Sequence, residues 1–278
     1  VQNMAMKICV VTGSRADWGP LEWLVKTLRE DAFFDVNLLN INGESFVSAL
    51  QATNALIGPT SSKSSFDLMI LFGDRYEILA AACAAHLNRV PIAHIGGGDV
   101  TEGSYDDAMR DCISRMASIH FTTSPSSAAR LVNMGYRNVY DVGSTGIDFI
   151  IHADWEKGRP IKQPYVVVSY QPETIDDTVN LEAVREAIAD RKAVWITPNP
   201  DRGSERIPQG VNYSHPEFLN LLYYCDEFIG NSSAMLYEAP ALRVKTRMIG
   251  KRQRGRSVPR GDGRASENIL LYLKYATL

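Results

Sequence analysis

Short apolar runs of strand character alternate with helical patterns along most of this chain. In the first half, the predicted strands cover residues 8–11, 68–72, 90–93, 119–122 and 139–142, and the predicted helices cover residues 21–29, 76–87, 106–116 and 126–133. Parallel strands need a long crossover, usually a helix, so this order predicts a parallel α/β sheet. Between residues 39 and 66 the pattern is weak, and only residues 46–57 are predicted as a helix.

The same order restarts in the second half of the chain. The polar segment 152–164 contains Gly158, Pro160 and Pro164 and is predicted as a linker. Beyond it, predicted strands at 166–169, 194–197, 227–229 and 246–249 alternate with predicted helices at 181–188, 216–224 and 233–239. We therefore expect two Rossmann-like doubly wound domains, residues 1–150 and 151–278, whose loops face a shared cleft.

The composition excludes several classes of function. The chain has 278 residues, 45% of them hydrophobic, and its net charge of -3 gives no overall footprint for nucleic acid or membrane. Its four cysteines form no C-x-x-C pair, so neither a zinc site nor a disulfide framework is expected. The sequence shows no signal-peptide core and no apolar run of membrane-spanning length, which predicts a cytoplasmic protein.

The segment Gly230-Asn231-Ser232-Ser233 lies between an apolar run and a predicted helix. Backbone N–H groups in the first turn of a helix lack intrahelical partners and favour an anion, so this turn is a candidate diphosphate site. Glu238, one turn further on, is placed to accept hydrogen bonds from a ribose diol. The alternative is that Asn231 or Ser232 only caps the helix.

Two further turns follow predicted strands of the first half. Gly13, Ser14 and Arg15 form a small-residue turn whose arginine is a candidate phosphate ligand. Asp74 in Gly73-Asp74-Arg75-Tyr76-Glu77 brings a carboxylate to the end of the third predicted strand. For Asp74 the alternative is an N-cap of the following helix.

A glycine-rich acidic loop follows the fourth predicted strand. It runs from His94 through three consecutive glycines to Arg110, with acidic residues at Asp99, Glu102, Asp106 and Asp107. Carboxylates held in this way are candidates for proton transfer, and we assign Asp99, Glu102, Asp106 and Arg110 to a catalytic group. The alternative is that Asp106 and Asp107 cap a helix and Glu102 is solvated. His94 and His120 are predicted as buried structural histidines.

Three loops of the second half follow predicted strands and carry candidate binding residues; the first two are expected to face the cleft. Gln171 follows one strand, and Asn199, Asp201 and Ser204 follow the next. The loop Gly250-Lys251-Arg252-Gln253-Arg254-Gly255-Arg256 follows the last predicted strand. Its Arg252 would bring a guanidinium to a bound diphosphate.

These motifs, in this order, resemble the hydrolysing UDP-N-acetylglucosamine 2-epimerases of sialic-acid and related nonulosonic-acid biosynthesis. The resemblance rests on six segments, which are 12–16, 73–77, 97–110, 199–204, 230–238 and 250–256. The resemblance runs from one end of the chain to the other. It implies a fold of the two-domain glycosyltransferase-B type.

The resemblance also implies a reaction and a set of roles. UDP leaves UDP-N-acetylglucosamine with loss of the C2 proton, and water then adds to the glycal to give N-acetylmannosamine; no metal or nicotinamide is required. By motif match, Ser232, Ser233, Arg252 and Arg15 hold the diphosphate, Glu238 holds the ribose, and Asp74 and Asp106 occupy acid–base positions. The alanine-rich helix at residues 76–87 suits subunit packing, so a homo-oligomer, a dimer or tetramer, is expected.

The chain departs from the family pattern at several positions. Gly96 stands where many members have Glu or His, and Gln171 stands where a histidine is common. Asp111 and Ser118 occupy positions where histidines are frequent. A glutamine hydrogen-bonds a phosphate but does not exchange a proton near neutral pH. Two alternatives therefore stand beside the epimerase: a retaining glycosyltransferase of the same fold and a non-catalytic nucleotide-sugar-binding homologue.

Overall fold

The computed structural model describes residues 5–13, 15–58 and 64–275, with only the backbone of residues 15 and 16. Its strands are β1 (Met6–Thr12), β2 (Phe34–Asn40), β3 (Leu68–Phe72), β4 (Ile92–Ile95), β5 (Ile119–Thr122), β6 (Val139–Asp141), β7 (Val166–Ser169), β8 (Ala193–Trp195), β9 (Glu227–Gly230) and β10 (Thr246–Met248). Its α-helices are α1 (Arg15–Arg29), α2 (Phe46–Ile57), α3 (Tyr76–Leu87), α4 (Asp106–Met116), α5 (Pro125–Asn133), α6 (Thr145–His152), α7 (Leu181–Ile188), α8 (His215–Tyr223), α9 (Glu238–Ala241) and α10 (Ala265–Tyr275).

The strands form two parallel sheets, as the alternation predicts. The first sheet has six strands in the order β2-β1-β3-β4-β5-β6, and the second has four in the order β10-β9-β7-β8. The strand order reverses between β1 and β3 in the first sheet and between β7 and β9 in the second. Loops at the carboxyl ends of strands beside such a reversal are where doubly wound sheets bind ligands.

The chain divides into two compact units, each built around one sheet. The first unit contains residues up to Asp99, the segment Asp106–Phe149 and the chain from Pro259 onward. The second contains Val100–Tyr105 and Ile150–Val258. This division differs from the predicted boundaries of 1–150 and 151–278 in two places, because a short loop segment joins the second unit and the C-terminal segment returns to the first.

The return of the C-terminal segment has a clear physical cause. The buried carboxylate of Asp148 accepts hydrogen bonds from the backbone N–H groups of Ala265 at 3.2 Å and Ser266 at 2.6 Å, at the start of α10. Ile269 and Leu273 of the same helix are buried in the core of the first unit, beside strands β1 and β3. Burial of these side chains stabilises the unit by removing apolar surface from water.

Most predicted elements agree with the structure, and a few differ. Strand β2 and helices α6 and α10 were not predicted. The predicted helix 233–239 is wrong: the structure has a 3₁₀ turn at Ser233–Met235 and then the four-residue α9. Leu236 and Tyr237 separate the two turns, and Pro240 lies in the first turn of α9, where the missing N–H of a proline costs no intrahelical hydrogen bond.

The helices in the described part of the chain include none that is long and apolar enough to cross a membrane.

Candidate active site

In the first unit, a buried arginine of α4 gathers the carboxylates that the sequence singles out. Arg110 is 1% exposed and forms ion pairs with Asp74 and Asp107. Its Nη1 also donates to the backbone oxygen of Asp99 at 2.9 Å. The N-cap residue of α3 is Arg75, so Asp74 does not cap that helix. The site role of Asp74 stays a prediction.

The carboxylate that pairs with Arg110 within α4 is Asp107. Asp106, the predicted acid–base residue, is the first residue of α4 and is half-buried. Asp107 and Arg110 are three residues apart, so both lie on one face of the helix. This spacing is a sequence signal that could have identified Asp107, which was not included in the predicted catalytic group. The catalytic role of Asp106 stays a prediction.

Asp99 anchors the glycine-rich loop. Its side chain is 1% exposed, and its Oδ1 accepts a hydrogen bond of 2.6 Å from the Ser127 hydroxyl at the start of α5. Gly98 has a φ of +80°, and a Cβ there would lie 2.9 Å from the carbonyl carbon of Ser127. These contacts favour a positioning role for Asp99, and its predicted catalytic role remains untested.

Glu102 belongs to the second unit. Its carboxylate lies 3.1 Å from Arg254 Nε, and its backbone N–H donates to the Arg254 carbonyl at 3.0 Å. The side chains of both residues are more than half exposed. The structure thus places Glu102 against the loop that carries Arg252, while its predicted role in proton transfer stays a prediction.

The first turn of the chain is only partly described. The Gly13 N–H donates to the buried carboxylate of Asp17 at 3.2 Å, and a Cβ on Gly13 would lie 3.0 Å from Ile78 Cδ1. The turn is therefore tight at Gly13. Ser14 and the side chain of Arg15 lie outside the described residues, so their predicted phosphate contacts remain predictions.

The two strand-end histidines are buried, as predicted. His94 Nδ1 lies 2.9 Å from the Ser114 hydroxyl, and Nε2 lies 2.8 Å from the Gly73 carbonyl. Burial lowers the pKa of His94 to about 4, and it lowers the pKa of His120 to about 4 as well. Both rings are therefore neutral near pH 7. The contacts of His94 tie the end of β4 to the loop that carries Asp74.

In the second unit, a pair of amide side chains joins the ends of β7 and β9. Asn231 Oδ1 accepts from the Gln171 N–H at 2.7 Å, and Asn231 Nδ2 donates to the Gln171 carbonyl at 2.8 Å. The Gln171 Oε1 atom accepts from the Asn199 N–H at 2.9 Å. Gln253 Nε2 donates to the Asn231 carbonyl at 2.9 Å. Three predicted binding residues thus form one network at the strand-order reversal.

The serines beside Asn231 lie at the start of the 3₁₀ turn. The Ser232 hydroxyl accepts from the Ala234 N–H at 3.3 Å, so Ser232 caps this turn. Ser232 and Ser233 are partly exposed. Because no long helix follows, an anion here would be held by hydroxyl and backbone N–H groups more than by a helix dipole.

Arg252 is held by a buried framework. Its guanidinium is 3.2 Å from Asp201 Oδ2 and donates to the Pro172 carbonyl. The neighbouring Lys251 N–H donates to Glu173 Oε1 at 2.6 Å. Glu173 is 4% exposed and was missed by the sequence analysis, although it directly follows the predicted Gln171 turn. We infer that Glu173 fixes the backbone on which Arg252 is mounted.

The remaining predicted binding residue of this half, Ser204, begins a short 3₁₀ turn. Its backbone N–H donates to the Asp201 carbonyl at 3.0 Å, and Gly203 before it has a φ of +91°. The turn brings Asp201 and Ser204 together, and their predicted role in binding stays a prediction.

Glu238 lies next to a histidine that the sequence analysis did not single out. His215 Nε2, at the start of α8, is 3.9 Å from Glu238 Oε1 at the start of α9. Burial raises the pKa of Glu238 to about 7 and lowers the pKa of His215 to about 4. No local motif marks His215, because only the packing of α8 against α9 brings the two side chains together.

Two doubly wound parallel sheets, with polar networks at the carboxyl ends of their strands, define a fold of the glycosyltransferase-B type. The chain belongs to the UDP-N-acetylglucosamine 2-epimerase family, whose sequence profile matches residues 8–263.

Comparison with individual proteins agrees with this assignment. The chain is 29% identical to the polysialic acid biosynthesis protein P7 of Escherichia coli, over 90% of this chain and 80% of that protein. It is 27% identical to the UDP-N,N'-diacetylbacillosamine 2-epimerase (hydrolyzing) of Legionella pneumophila, over 90% of this chain and 82% of that protein. The structure of the Methanocaldococcus jannaschii UDP-GlcNAc 2-epimerase, solved with UDP-GlcNAc and UDP, matches with a TM-score of 0.77 at 16% identity, covering 98% of this chain and all of that one. This structural likeness supports the fold alone.

Proposed function

We propose that this protein is a hydrolysing 2-epimerase. It converts UDP-GlcNAc, or a UDP-2,4-diacetamido-trideoxyglucose, to UDP and the free manno-configured sugar. The observation that carries the proposal is the ion-paired group of Arg110 with Asp74 and Asp107. In the second unit, the residue after the buried Arg252, Gln253, donates a hydrogen bond to the Gly-Asn-Ser-Ser turn. The first arrangement suits proton transfer, and the second suits a diphosphate leaving group.

The leaving group is the first requirement of the reaction. The C2 hydrogen of the sugar is barely acidic until the C1–O bond weakens, so stabilising the departing diphosphate lowers the main barrier. Arg252, Ser232 and Ser233 are the groups we assign to the diphosphate, with Arg15 and Ser14 as further candidates. Asn231 and Gln171 set the position of the serine turn through their paired hydrogen bonds.

Proton transfer is the second requirement. Asp74 and Asp106 are the residues we assign to removal of the C2 proton as UDP leaves, and to delivery of a solvent-exchanged proton to C2 as water adds its hydroxyl at C1 of the glycal. Arg110 holds Asp74 in a single orientation, and it binds Asp107 at the same time. Gly96 and Gln171 supply no group that titrates near pH 7, so these carboxylates carry the acid–base chemistry.

The nucleoside is the third requirement. Glu238 is the acceptor that we assign to the two ribose hydroxyls, and His215 lies beside it. Two hydroxyl donors favour the ionised carboxylate, which is the form that accepts both hydrogen bonds.

Incubation with each UDP-sugar in deuterated water tests the proposal directly. A hydrolysing epimerase releases UDP and gives a free 2-epimer that carries deuterium at C2. Transfer of the sugar to an acceptor without C2 labelling would establish the glycosyltransferase alternative, which the shared fold suggests. UDP binding without turnover of either sugar would establish the binding homologue, which Gly96 and Gln171 favour.

We also propose that the protein acts in the cytoplasm as a homo-oligomer, a dimer or a tetramer, in sialic-acid or related biosynthesis. The 29% identity to a polysialic acid biosynthesis protein supports that branch. The alanine-rich α3 no longer supports an interface, because Ala80, Ala81, Ala82, Ala84 and Ala85 are all buried in the first unit's own core. Light scattering that shows a monomer in dilute solution would contradict the oligomer.

A further inference from the structure

We propose that the segment Val100–Tyr105, which we call the strap, positions Arg252, and that Gly103 is the residue through which it does so. The inference rests on the proposed role of Arg252 in binding UDP. The strap belongs to the second unit, although the chain on both sides of it belongs to the first. The strap therefore packs in the unit proposed to bind UDP, although the neighbouring residues in the sequence belong to the other unit.

The closest approach is between backbones. Gly103 is buried, and a Cβ built on it would lie 2.6 Å from Arg252 Cα, 2.8 Å from Arg252 N and 3.0 Å from the carbonyl carbon of Lys251. Real Cβ atoms do not approach other atoms as closely as 2.6 Å. Since the opposing atoms are backbone, no side-chain rotation relieves the contact, and a larger residue at 103 has to displace the Arg252 loop.

The strap forms hydrogen bonds on both sides of Gly103. The Glu102 N–H donates to the Arg254 carbonyl at 3.0 Å. The Tyr105 N–H donates to Thr174 Oγ1 at 3.2 Å, and the hydroxyls of Ser104 and Thr174 lie 3.3 Å apart. Thr174 is next in the chain to Glu173, whose carboxylate binds the Lys251 N–H. The strap and the Arg252 loop are thus attached to the same turn.

Arg252 itself tolerates little displacement. Its guanidinium is held by Asp201 and by the Pro172 carbonyl, and the preceding peptide is held by Glu173. A shift of the loop that relieves the contact with a Cβ at position 103 either lengthens these hydrogen bonds or moves the guanidinium. The exposed ion pair between Glu102 and Arg254 adds little, because such pairs are screened by water.

The test is a double-mutant cycle read by calorimetric UDP binding. We expect Gly103→Ala to weaken UDP binding by about tenfold, and to change it less than about twofold when Arg252→Ala is already present. A merely structural effect of the alanine would lower the affinity equally in both backgrounds. Gly146→Ala is the matched control: its Cβ would meet Pro20 at an ordinary 3.6 Å, and its UDP affinity should equal that of the wild type.

Thr174 gives a second variant in case Gly103→Ala does not fold. Thr174→Val keeps the shape but removes the acceptor for the Tyr105 N–H, and we expect about three- to tenfold weaker UDP binding. Thr174→Ser keeps the hydroxyl and should restore the wild-type affinity. Equal UDP affinity of the wild type, Gly103→Ala and Thr174→Val would overturn this inference alone. Failure of the wild type to bind UDP would overturn the proposed function, and this inference with it.

Discussion

The side-chain amide of Asn231 forms two hydrogen bonds with the backbone of Gln171, one as acceptor and one as donor. The Asn231 amide accepts from the Gln171 N–H at 2.7 Å and donates to the Gln171 carbonyl at 2.8 Å. Asn231 is fully buried, at the end of β9, and Gln171 follows the neighbouring β7. A single amide side chain therefore fixes the distance between the two loops proposed to bind UDP.

Asn231→Asp should destabilise the protein and weaken UDP binding. The carboxylate keeps the acceptor but loses the donor to the Gln171 carbonyl, and it places a charge in a buried site. A buried group left without its partner costs about 1–3 kcal/mol. Urea unfolding measures this loss, and Asn212→Asp, at an exposed position, should change the free energy of unfolding by less than about 0.5 kcal/mol.

Asp74→Asn should lower the rate of UDP release from the UDP-sugar by about 10²–10⁴-fold, the usual contribution of one acid–base group. UDP affinity should stay close to that of the wild type, because Asp74 is not assigned to the nucleotide. Asp35→Asn, an exposed position on β2, is the charge-matched control and should keep full turnover. Unchanged turnover in Asp74→Asn would contradict the assigned role.

Arg110→Lys should disrupt the geometry of the carboxylates while keeping the charge. A lysine has one compact cation, whereas the guanidinium binds Asp74, Asp107 and the Asp99 carbonyl through separate N–H groups. We expect turnover to fall at least tenfold, a factor that corresponds to 1.4 kcal/mol or more of transition-state stabilisation. Arg115→Lys, on the exposed side of the same helix, should behave as the wild type in the same assay.

The pKa of Glu238, raised to about 7 by burial, makes a prediction about stability. A folded-state pKa above the ordinary 4.5 means that the native state holds this proton more tightly than the unfolded state does. The contribution to stability is therefore present below pH 4.5 and is lost as the pH rises to about 7. Glu238→Gln should remove this part of the pH slope in urea unfolding, whereas Glu186→Gln, at an exposed position, should not.

The same carboxyl makes a prediction about the ligand. If the ribose hydroxyls donate to the ionised Glu238, UDP binding releases a proton near neutral pH, and UDP affinity rises as the pH rises from about 6 to about 8. A nucleotide with a 2'-deoxyribose should show a weaker dependence. Calorimetry in buffers of different ionisation enthalpy measures the released proton, and equal heats in all buffers would argue against the contact.

Buried histidines should make the protein sensitive to acid. Burial lowers the pKa of His94 from 6.5 to about 4, so the unfolded state takes up this proton first. Stability should be lost as the pH falls from about 6.5 to about 4. Urea unfolding at several pH values measures this loss. Between pH 7.5 and acidic pH, the free energy of unfolding of His94→Gln should fall less than that of the wild type, whereas His86→Gln, at an exposed position, should follow the wild-type pH profile.

Local pattern was enough for most of the fold. Helices α2, α3, α4 and α7 begin and end at the predicted residues, because the periodicity of apolar side chains records which face each segment buries. The order of strands and helices was also enough to predict two parallel sheets.

The candidate site was predicted less completely. The sequence identified Asp74, Arg110, Arg252 and Asn231 as candidates for chemistry, since each belongs to a motif that begins after a predicted strand. It missed Glu173 and His215, whose importance comes from partners that are distant in sequence: Lys251 for the first and Glu238 for the second.

By itself, the sequence determined the α/β class, the two sheets and the family, because these depend on periodicity and on motifs that are contiguous in the chain. Only the tertiary structure decided that Val100–Tyr105 packs in the second unit, that α10 returns to the first, and that Asp107 pairs with Arg110. These features depend on contacts between residues that are far apart in the chain. The free energy of such a contact depends on burial and on distance in three dimensions, and a local sequence pattern contains neither.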